Sequence, residues 1–190
     1  MIFNKIKEQN KDLKAFISAS AIGYYGTTTS QKIFTETDPP ANDFLGDTCR
    51  QWEQICDKFN DSGIRTVKIR TGVVLTKQGG ALSKMAIPIK LGVGSVIGKG
   101  RQYLPWIHIE DLYGIYIKAI SDTQMDGAYN GVVPDHKTNK EFTRTLALPA
   151  ASCGESSINL TGIYFPSPFM DNWIRLRTMS TSSTFTFTCW

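Results

Sequence analysis

The segment of residues 16–26 limits the fold of this chain more than any other stretch, and its sequence is Phe-Ile-Ser-Ala-Ser-Ala-Ile-Gly-Tyr-Tyr-Gly. Its apolar and small residues predict a buried strand that runs into a tight turn, with Tyr24 and Tyr25 at the carboxyl end. In open α/β sheets, ligands bind outside the carboxyl ends of the strands. The segment therefore predicts an α/β fold with a ligand site near the two tyrosines.

The composition is that of one globular domain and argues against several functional classes. The chain has 190 residues, of which 41% are hydrophobic and 20% charged, enough to bury a sizeable core. Its net charge of +4 is mild and no block of Lys and Arg forms a basic stripe, which argues against nucleic-acid binding. No apolar run is long enough to span a bilayer. We therefore expect a small-molecule substrate as the partner, with no nucleic acid and no membrane, while the oligomeric state stays open.

The cysteines and histidines give no sign of a metal site. The chain has four cysteines, no Cys-x-x-Cys pair and two histidines. Cys49 and Cys56 would lie two turns apart on a helix, about 10 Å along its axis, which is too far for a disulfide. We therefore expect reduced thiols and a cytoplasmic location, with an organelle as the alternative.

Hydrophobic periodicity predicts alternating strands and helices over most of the chain. Apolar or β-branched runs predict strands at residues 13–18, 65–69, 103–109 and 127–133. Residues 70–75 are expected to continue into a loop that contains Gln78-Gly-Gly80. Helical spacing, with Asp43 and Thr138 as N-caps and Pro88 as an interruption, predicts helices at residues 2–9, 43–59, 82–91, 110–120 and 138–146. Such alternation implies βαβ units and a mainly parallel sheet.

The sequence changes character after residue 146. Charged residues become sparse, and the chain ends in a segment rich in Ser and Thr. We expect residues 148–190 to form a divergent or disordered tail, in which the alternation of Thr and Phe near the end is compatible with one strand.

Five motifs occur in an order and with a spacing that resemble those of a known family. They are Ser18-Ala-Ser-Ala-Ile-Gly-Tyr-Tyr-Gly26, Arg70-Thr-Gly-Val-Val-Leu75, Gly79-Gly-Ala-Leu-Ser-Lys-Met85, Gly98-Lys-Gly-Arg-Gln102 and Trp106-Ile-His-Ile-Glu-Asp-Leu112. The set resembles the NAD-dependent epimerase/dehydratase family, in particular the atypical extended short-chain dehydrogenase/reductases of the sugar-nucleotide-epimerase-like branch. The resemblance covers about residues 11–147.

The resemblance implies a fold, a cofactor and a function. The fold would be a partial Rossmann-type parallel sheet flanked by helices, with a small remnant of a C-terminal substrate domain. Residues 1–147 would be the C-terminal portion of the NAD(P)-binding domain with part of the substrate lobe, because the family's glycine-rich phosphate turn does not occur in this sequence. The implied function is NADP- or NAD-dependent epimerase or oxidoreductase chemistry on a small hydroxyl- or carbonyl-bearing substrate, nucleotide sugars included. The alternatives are a non-catalytic cofactor-binding or regulatory protein and an inactive fragment.

The resemblance also implies candidate site residues. The candidate catalytic residues are Ser20 and Tyr24, since a hydroxyl beside a nicotinamide can hydrogen-bond a substrate oxygen. The candidate cofactor-binding residues are Ser18, Arg70, Thr71 and Gly72, and the candidate substrate-binding residues are Gly80, Arg101 and Trp106. The alternative for the serines is packing at the turn. For Arg70 the alternative is a surface cap of its strand, and for Arg101 a flexible hairpin corner.

Four other positions bear on catalysis. Relatives with full chemistry carry Tyr-x-x-x-Lys on the helix predicted at residues 43–59, and alignment on Glu53 puts Leu45 and Cys49 in those two places. Neither side chain can do the work of that pair, because leucine has no proton to transfer and a buried thiol carries no fixed positive charge. His108 and Asp111 are expected to be structural, His108 within a strand and Asp111 as the cap of the next helix.

Overall fold

The structure, a computed structural model, describes residues 3–5, 13–76, 79–90, 96–151, 157–159 and 184–186. The chain divides into two compact units, of which the first consists of Met1–Leu82 and Leu104–Val133 and the second of Ser83–Tyr103 and Pro134–Trp190. Residues 3–5 are helical, within the helix predicted at residues 2–9, whose other residues lie outside the described part.

The first unit is built on a three-stranded parallel sheet. Its strands, in the order β1-β2-β5, are β1 (Ala15–Ala21), β2 (Arg65–Thr71) and β5 (Gly127–Gly131). The register places Ser20 opposite Arg70 and Arg70 opposite Asn130. Because the strands are parallel, their carboxyl ends lie side by side, and we call this side of the sheet the carboxyl rim. The predicted α/β fold with a parallel sheet is confirmed.

One face of β1 and β2 is covered by the helix α1 (Phe44–Asn60). It begins after the predicted N-cap Asp43, whose Oδ1 accepts a hydrogen bond from the backbone N–H of Gly46 at 2.8 Å. Its buried residues recur at helical spacing and are Gly46, Cys49, Glu53, Cys56 and Phe59. Glu53 is the one charged residue in this set, so its charge must be balanced locally.

The other face of the sheet carries the hydrophobic core of the first unit. Val67 and Ile69 of β2 are fully buried and cluster with Leu112 and Ala119. Those two residues lie on the helix α3 (Ile109–Ser121), which follows the strand β4 (Trp106–His108). The apolar residues of β2 and the inner side of α3 therefore form one core.

The start of α3 differs from the sequence expectation. Its N-cap is His108, whose Nδ1 accepts a hydrogen bond from the backbone N–H of Glu110 at 3.3 Å. The expectation that Asp111 caps this helix is therefore wrong, because the helix begins two residues earlier. His108 has the structural role that the sequence favoured.

A second, two-stranded parallel sheet joins β4 to the strand β3 (Val73–Thr76). The chain turns at Gly72 and then resumes as this strand, and of the predicted loop that contains Gln78-Gly-Gly80 only Gly79 and Gly80 lie in the described ranges. Val73 donates its N–H to the carbonyl oxygen of Pro105 at 2.8 Å. β4 is shorter than the strand predicted at residues 103–109, since a proline has no N–H to donate to a ladder.

The second unit contains most of the helix α2 (Gly80–Lys90) and the helix α4 (Asn139–Ala151). α2 continues through Pro88 and is not interrupted there. α4 starts after the predicted cap: Thr138 Oγ1 accepts from the N–H of Glu141 at 3.3 Å, and Glu141 Oε2 accepts from the N–H of Thr138 at 2.8 Å. In the described ranges, none of the helices has the length and apolar character that crossing a membrane requires.

The expected tail is described only in part. α4 extends four residues into it, and the short strands β6 (Ser157–Asn159) and β7 (Thr184–Thr186) pair antiparallel. β7 contains one of the Thr-Phe alternations, as the sequence indicates. The remaining residues of the tail lie outside the described ranges.

Candidate functional site

A buried ion pair lies at the carboxyl rim of β1 and β2. The carboxylate of Glu53 on α1 accepts two hydrogen bonds from Arg70, from Nε to Oε1 and from Nη2 to Oε2, both at 2.8 Å. Ser20 at the end of β1 donates its hydroxyl to Glu53 Oε1 at 2.7 Å. Arg70 is 3% exposed and Ser20 and Glu53 are each 5% exposed. Arg70 thus balances the negative charge of Glu53, the one charged residue on the buried side of α1.

The turn after β1 surrounds the same guanidinium with aromatic rings. This 3-10 turn spans Ile22–Tyr25. Arg70 Nη1 donates to the hydroxyl of Tyr25 at 2.8 Å, and that hydroxyl donates to Asn130 Oδ1 at 2.7 Å. The guanidinium carbon lies 3.5 Å from the centre of the Tyr24 ring, which is a cation–π contact. Arg70 thus links α1, the aromatic turn and the rim of the sheet.

The surroundings fix the charge states of the network. Burial raises the pKa of the Glu53 carboxyl, but the hydrogen bonds from Arg70 and Ser20 outweigh it and hold that pKa below its ordinary value. The pKa of Arg70 is raised in spite of its burial, through its bonds to Glu53 and Tyr25. Burial raises the pKa of the Tyr25 hydroxyl. At neutral pH the network is therefore an ion pair beside a neutral phenol.

The other predicted cofactor-binding residues lie along the same two strands. Ser18 is half-buried and its hydroxyl donates to the carbonyl oxygen of Ala19 at 3.0 Å. Thr71 follows Arg70, and its Oγ1 donates to the carbonyl oxygen of Ile69 at 3.3 Å. Both hydroxyls thus contact the backbone of their own strands.

Gly72 follows β2 and lies close to Pro105 and Val132. A Cβ atom at this position would lie 2.7 Å from Val132 Cγ1 and 2.8 Å from the carbonyl oxygen of Pro105. Those separations are too short for any side chain, so glycine is required here for close packing.

The predicted substrate-binding residues are more dispersed. Trp106 lies in β4 and is 5% exposed, opposite Val73 in the register. Gly80 is the first residue of α2 and has a φ of 75°. Arg101 is exposed and belongs to the second unit. The structure therefore brings together Ser20, Tyr24 and Arg70, and the ligand-binding roles of all nine candidates stay predictions.

The structure excludes one of the two interpretations that the sequence left open for Arg70. Its burial rules out the surface cap that was the competing interpretation. The sequence analysis also missed Tyr25 and Asn130 as partners, and used Glu53 only as a point of alignment. The signal that could have found Glu53 is a lone acidic residue on the buried side of an otherwise apolar helix.

The positions of Leu45 and Cys49 are close to the aromatic turn. A Cβ atom built on Gly23 would lie 3.6 Å from the Cβ of Leu45 and 3.6 Å from the Sγ of Cys49. Burial raises the pKa of the Cys49 thiol, so this thiol is neutral at pH 7. The place beside the turn therefore holds an aliphatic side chain and an uncharged thiol.

Curated proteins similar to this chain include ones named as epimerase family proteins. No family model matches the chain. It is 39% identical over 133 residues to the human epimerase family protein SDR39U1, covering 70% of this chain and 45% of that protein. It is also 39% identical over 143 residues to the epimerase family protein YfhF of Bacillus subtilis, covering 75% of this chain and 46% of that protein. The chain spans about half the length of these curated relatives.

Solved structures agree with the sequence relatives. A nucleoside-diphosphate sugar epimerase from Corynebacterium glutamicum matches with a TM-score of 0.70 at 37% identity, over 75% of this chain and 31% of that chain. Human SDR39U1 (isoform 2), solved with NADPH, matches with a TM-score of 0.68 at 35% identity, over 75% of this chain and 49% of that chain. The NADPH in that structure agrees with the predicted cofactor, NADP or NAD. Over the matched part, the chain is therefore similar in sequence and in fold to proteins named as epimerases, which confirms the resemblance that its five motifs indicate.

Proposed function

We propose that this chain contributes the nicotinamide-facing rim of an NAD(P)-dependent, epimerase-like protein. Its substrate would be a small molecule bearing a hydroxyl or carbonyl group, with nucleotide sugars as the substrate class. The observation that carries the proposal is the meeting of Ser20, Tyr24 and Arg70 at the carboxyl rim of a parallel sheet. That rim is where open α/β sheets bind ligands. Similarity to a protein solved with NADPH supports the class of cofactor.

The rim residues fit the nicotinamide end of the cofactor and leave its diphosphate to other residues. Ser20 donates its proton to Glu53, so its oxygen can only accept a hydrogen bond from an N–H or O–H group of a ligand. A Gly-x-Gly-x-x-Gly turn, which would hold the diphosphate, does not occur in the sequence. When bound, the cofactor supplies hydride transfer.

Arg70 takes a positioning role in this proposal. Its guanidinium is engaged by Glu53, by Tyr25 and by the carbonyl oxygen of Glu36 at 3.1 Å. It therefore acts on a ligand by fixing the ring of Tyr24 at the rim. Thr71 and Gly72, which follow it, would contribute backbone rather than side-chain contacts.

A second candidate function is cofactor binding without turnover. It is favoured by Leu45 and Cys49, which lie beside the aromatic turn at the places of the tyrosine and lysine of active relatives. Neither can protonate a substrate oxygen or hold a fixed positive charge at pH 7. A protein with this rim would bind the dinucleotide and report on it without changing it.

The two candidates are separated by a titration and a turnover assay. Purified protein is titrated with NADPH and with NADH while tryptophan fluorescence is followed, and is then incubated with UDP-glucose as the nucleotide-sugar probe. Saturable binding with conversion of the sugar supports the enzyme, and saturable binding without conversion supports the binding protein. A chain that binds neither dinucleotide contradicts both candidates.

A pair of variants links binding to the rim. Tyr24→Ala removes the ring that stacks on Arg70, and we expect NADPH binding to weaken by about tenfold, since one aromatic contact contributes roughly 1–1.5 kcal/mol. Tyr113→Ala makes the same change at an exposed position on α3 and is expected to leave binding unchanged. Equal effects of the two substitutions would contradict a site at the rim.

The cellular location belongs to the proposal as well. Cys49 and Cys56 are free and buried, and burial raises the pKa of both thiols. Unpaired thiols are typical of a reducing compartment. We therefore propose the cytoplasm or an organelle with a reducing interior, which cell fractionation would test.

A further inference from the structure

The loop between the aromatic turn and α1 closes on itself. It comprises residues 27–40, and we call it the strap. Its two ends meet: a Cβ atom built on Gly26 would lie 2.6 Å from Ala41 Cβ, and Ala41 donates its N–H to the carbonyl oxygen of Tyr24 at 2.9 Å. A surface loop of this length with adjacent ends is an Ω-loop, a type that frequently carries function.

The strap holds its shape through its own side chains. Asp38 Oδ2 accepts a hydrogen bond from the N–H of Thr35 at 2.7 Å, and Asp38 Oδ1 lies 2.6 Å from Lys32 Nζ. The same ammonium group lies 4.9 Å from the centre of the Phe34 ring. These contacts join residues of the strap to each other. The strap can therefore move as one body without losing them.

The first fastening of the strap to the carboxyl rim is at Tyr25. The ring of Phe34 stacks on the ring of Tyr25, with ring centres 5.0 Å apart. The hydroxyl oxygen of Tyr25 lies 3.0 Å from the carbonyl oxygen of Thr35. Tyr25 is 7% exposed, so the strap covers a buried side chain of the network.

The second fastening is Glu36. Its carbonyl oxygen accepts from Arg70 Nη1 at 3.1 Å, and its Oε1 accepts from the backbone N–H of Asn130 at 2.8 Å. Glu36 therefore bridges the ends of β2 and β5. Glu36 is itself exposed, whereas Arg70 is 3% exposed. Because water can replace an exposed hydrogen bond, this fastening is readily broken.

We propose that the strap is a lid on the carboxyl rim, with Glu36 as its latch, that opens as one unit and admits the small-molecule ligand of this site. A segment fastened by few contacts opens at a lower free energy than the whole domain unfolds. Opening would uncover Arg70 and Tyr25 and free the N–H of Asn130. Admission of a ligand rests on the NAD(P) proposal, whereas the opening of the strap does not.

A lid differs from a ligand contact in its kinetics. The ligand passes the open strap on entry and on exit, and the strap is closed in both the free and the bound protein. Loosening the latch therefore raises the association and dissociation rate constants by the same factor and leaves Kd unchanged. A residue that contacts the ligand changes Kd, mainly through dissociation.

The opening is tested on the full 190-residue chain without ligand. In hydrogen exchange at low urea concentrations, we expect the Asn130 amide to exchange through an opening that urea hardly affects. The amides of Val67 and Ile69 in β2 should exchange more slowly and with a steep dependence on urea. This difference would show that the strap opens while the sheet stays folded.

A matched pair of variants identifies the latch. Glu36→Ala should raise the nitration of Tyr25 by tetranitromethane about fivefold, the value of one hydrogen bond. Gln31→Ala removes an exposed side chain of the same loop and should leave that rate unchanged. Mass spectrometry locates the nitrated residues, with the exposed Tyr113 as the internal reference. Circular dichroism verifies that each variant is folded.

Stopped-flow binding of NADPH tests admission. Glu36→Ala should raise both rate constants about fivefold and leave Kd within about twofold of the wild type, whereas Gln31→Ala should change neither rate. Glu36→Gln keeps an oxygen acceptor and should fall between the two.

The remaining outcomes overturn the proposal. They are exchange of the Asn130 amide only together with β2, an unchanged nitration of Tyr25 in Glu36→Ala, or a changed Kd without parallel changes in the two rates. A wild-type chain that binds no NADPH contradicts the NAD(P) proposal and the admission of that ligand. Exchange and nitration decide the opening of the strap independently of this.

Discussion

Glu53→Gln changes a single charge in the buried network and leaves the size of the side chain almost unaltered. The side chains of Arg70 and Glu53 are 4% and 6% exposed, so water cannot replace the lost carboxylate. Breaking a buried pair by removing one partner costs about 3–5 kcal/mol, because the other charge stays buried without compensation. Arg70 keeps its bonds to Tyr25 and to the carbonyl oxygen of Glu36. We therefore expect a loss near the lower end, about 3 kcal/mol.

The assay is equilibrium unfolding in urea, followed by fluorescence and by circular dichroism. Asp47→Asn is the control, since it makes the same chemical change on the same helix. The side chains of Asp47 and its ion-pair partner Arg50 are about half exposed, and such surface pairs contribute little to stability. The control should unfold close to the wild type. A loss for Glu53→Gln no larger than that for Asp47→Asn would refute the assignment of the ion pair as a main support of the rim.

A double-mutant cycle shows how much of this loss belongs to the pair itself. Arg70→Met alone leaves Glu53 buried without its cation, although that carboxyl can then take up a proton. With both substitutions no unpaired charge remains. We expect the double variant to be more stable than the sum of the single losses predicts, by about 1–3 kcal/mol. Additive losses would mean that the two side chains act independently.

Three further predictions follow from the first unit. The folded pKa of Glu53 lies below its unfolded value of about 4.3, so the stability that its charge contributes is complete above that pH and is lost as the pH falls through the folded pKa. Acid should therefore narrow the difference in the free energy of unfolding between the wild type and Glu53→Gln, measured by urea unfolding. Gly72→Ala should cost about 1–3 kcal/mol in the same assay, since its Cβ would lie 2.8 Å from the carbonyl oxygen of Pro105; an unchanged midpoint would contradict this contact. Asp43→Ala should lower the melting temperature measured by circular dichroism, because it removes the acceptor for the N–H of Gly46, whereas Asp43→Asn should retain most of it.

Patterns within short stretches of sequence predicted the elements that depend on contacts between residues close in sequence. Asp43 and Thr138 were identified as caps because each precedes a helical pattern with a side-chain acceptor, and both cap helices in the structure. The parallel sheet followed from the alternation of strands and helices. The separate strand β3 was not predicted, because it depends on a partner strand 33 residues further along the chain, at Trp106 opposite Val73. No pattern within a short window contains that information.

The candidate site could be predicted in location but not in its contacts. The sequence placed Ser20, Tyr24 and Arg70 near one rim because parallel strands end together. It did not predict that Glu53 joins Ser20 to Arg70, because this contact needs both the register of β1 against β2 and the rotation of α1. A residue type indicates what a side chain can do, and the register decides which partner it meets.

The network also changes which groups at the rim are available to a ligand. Arginine and serine at the ends of parallel strands are usually taken as ligand contacts, yet here the guanidinium of Arg70 and the hydroxyl proton of Ser20 are both directed to Glu53. Their substitution should therefore lower stability as well as ligand affinity. Tyr24 contacts Arg70 through its ring, so it can change ligand affinity at smaller cost to the fold. A ligand role for this rim is consequently best judged by the ratio of the two effects: Tyr24→Ala should reduce NADPH affinity more than it reduces stability, and Arg70→Met should do the reverse.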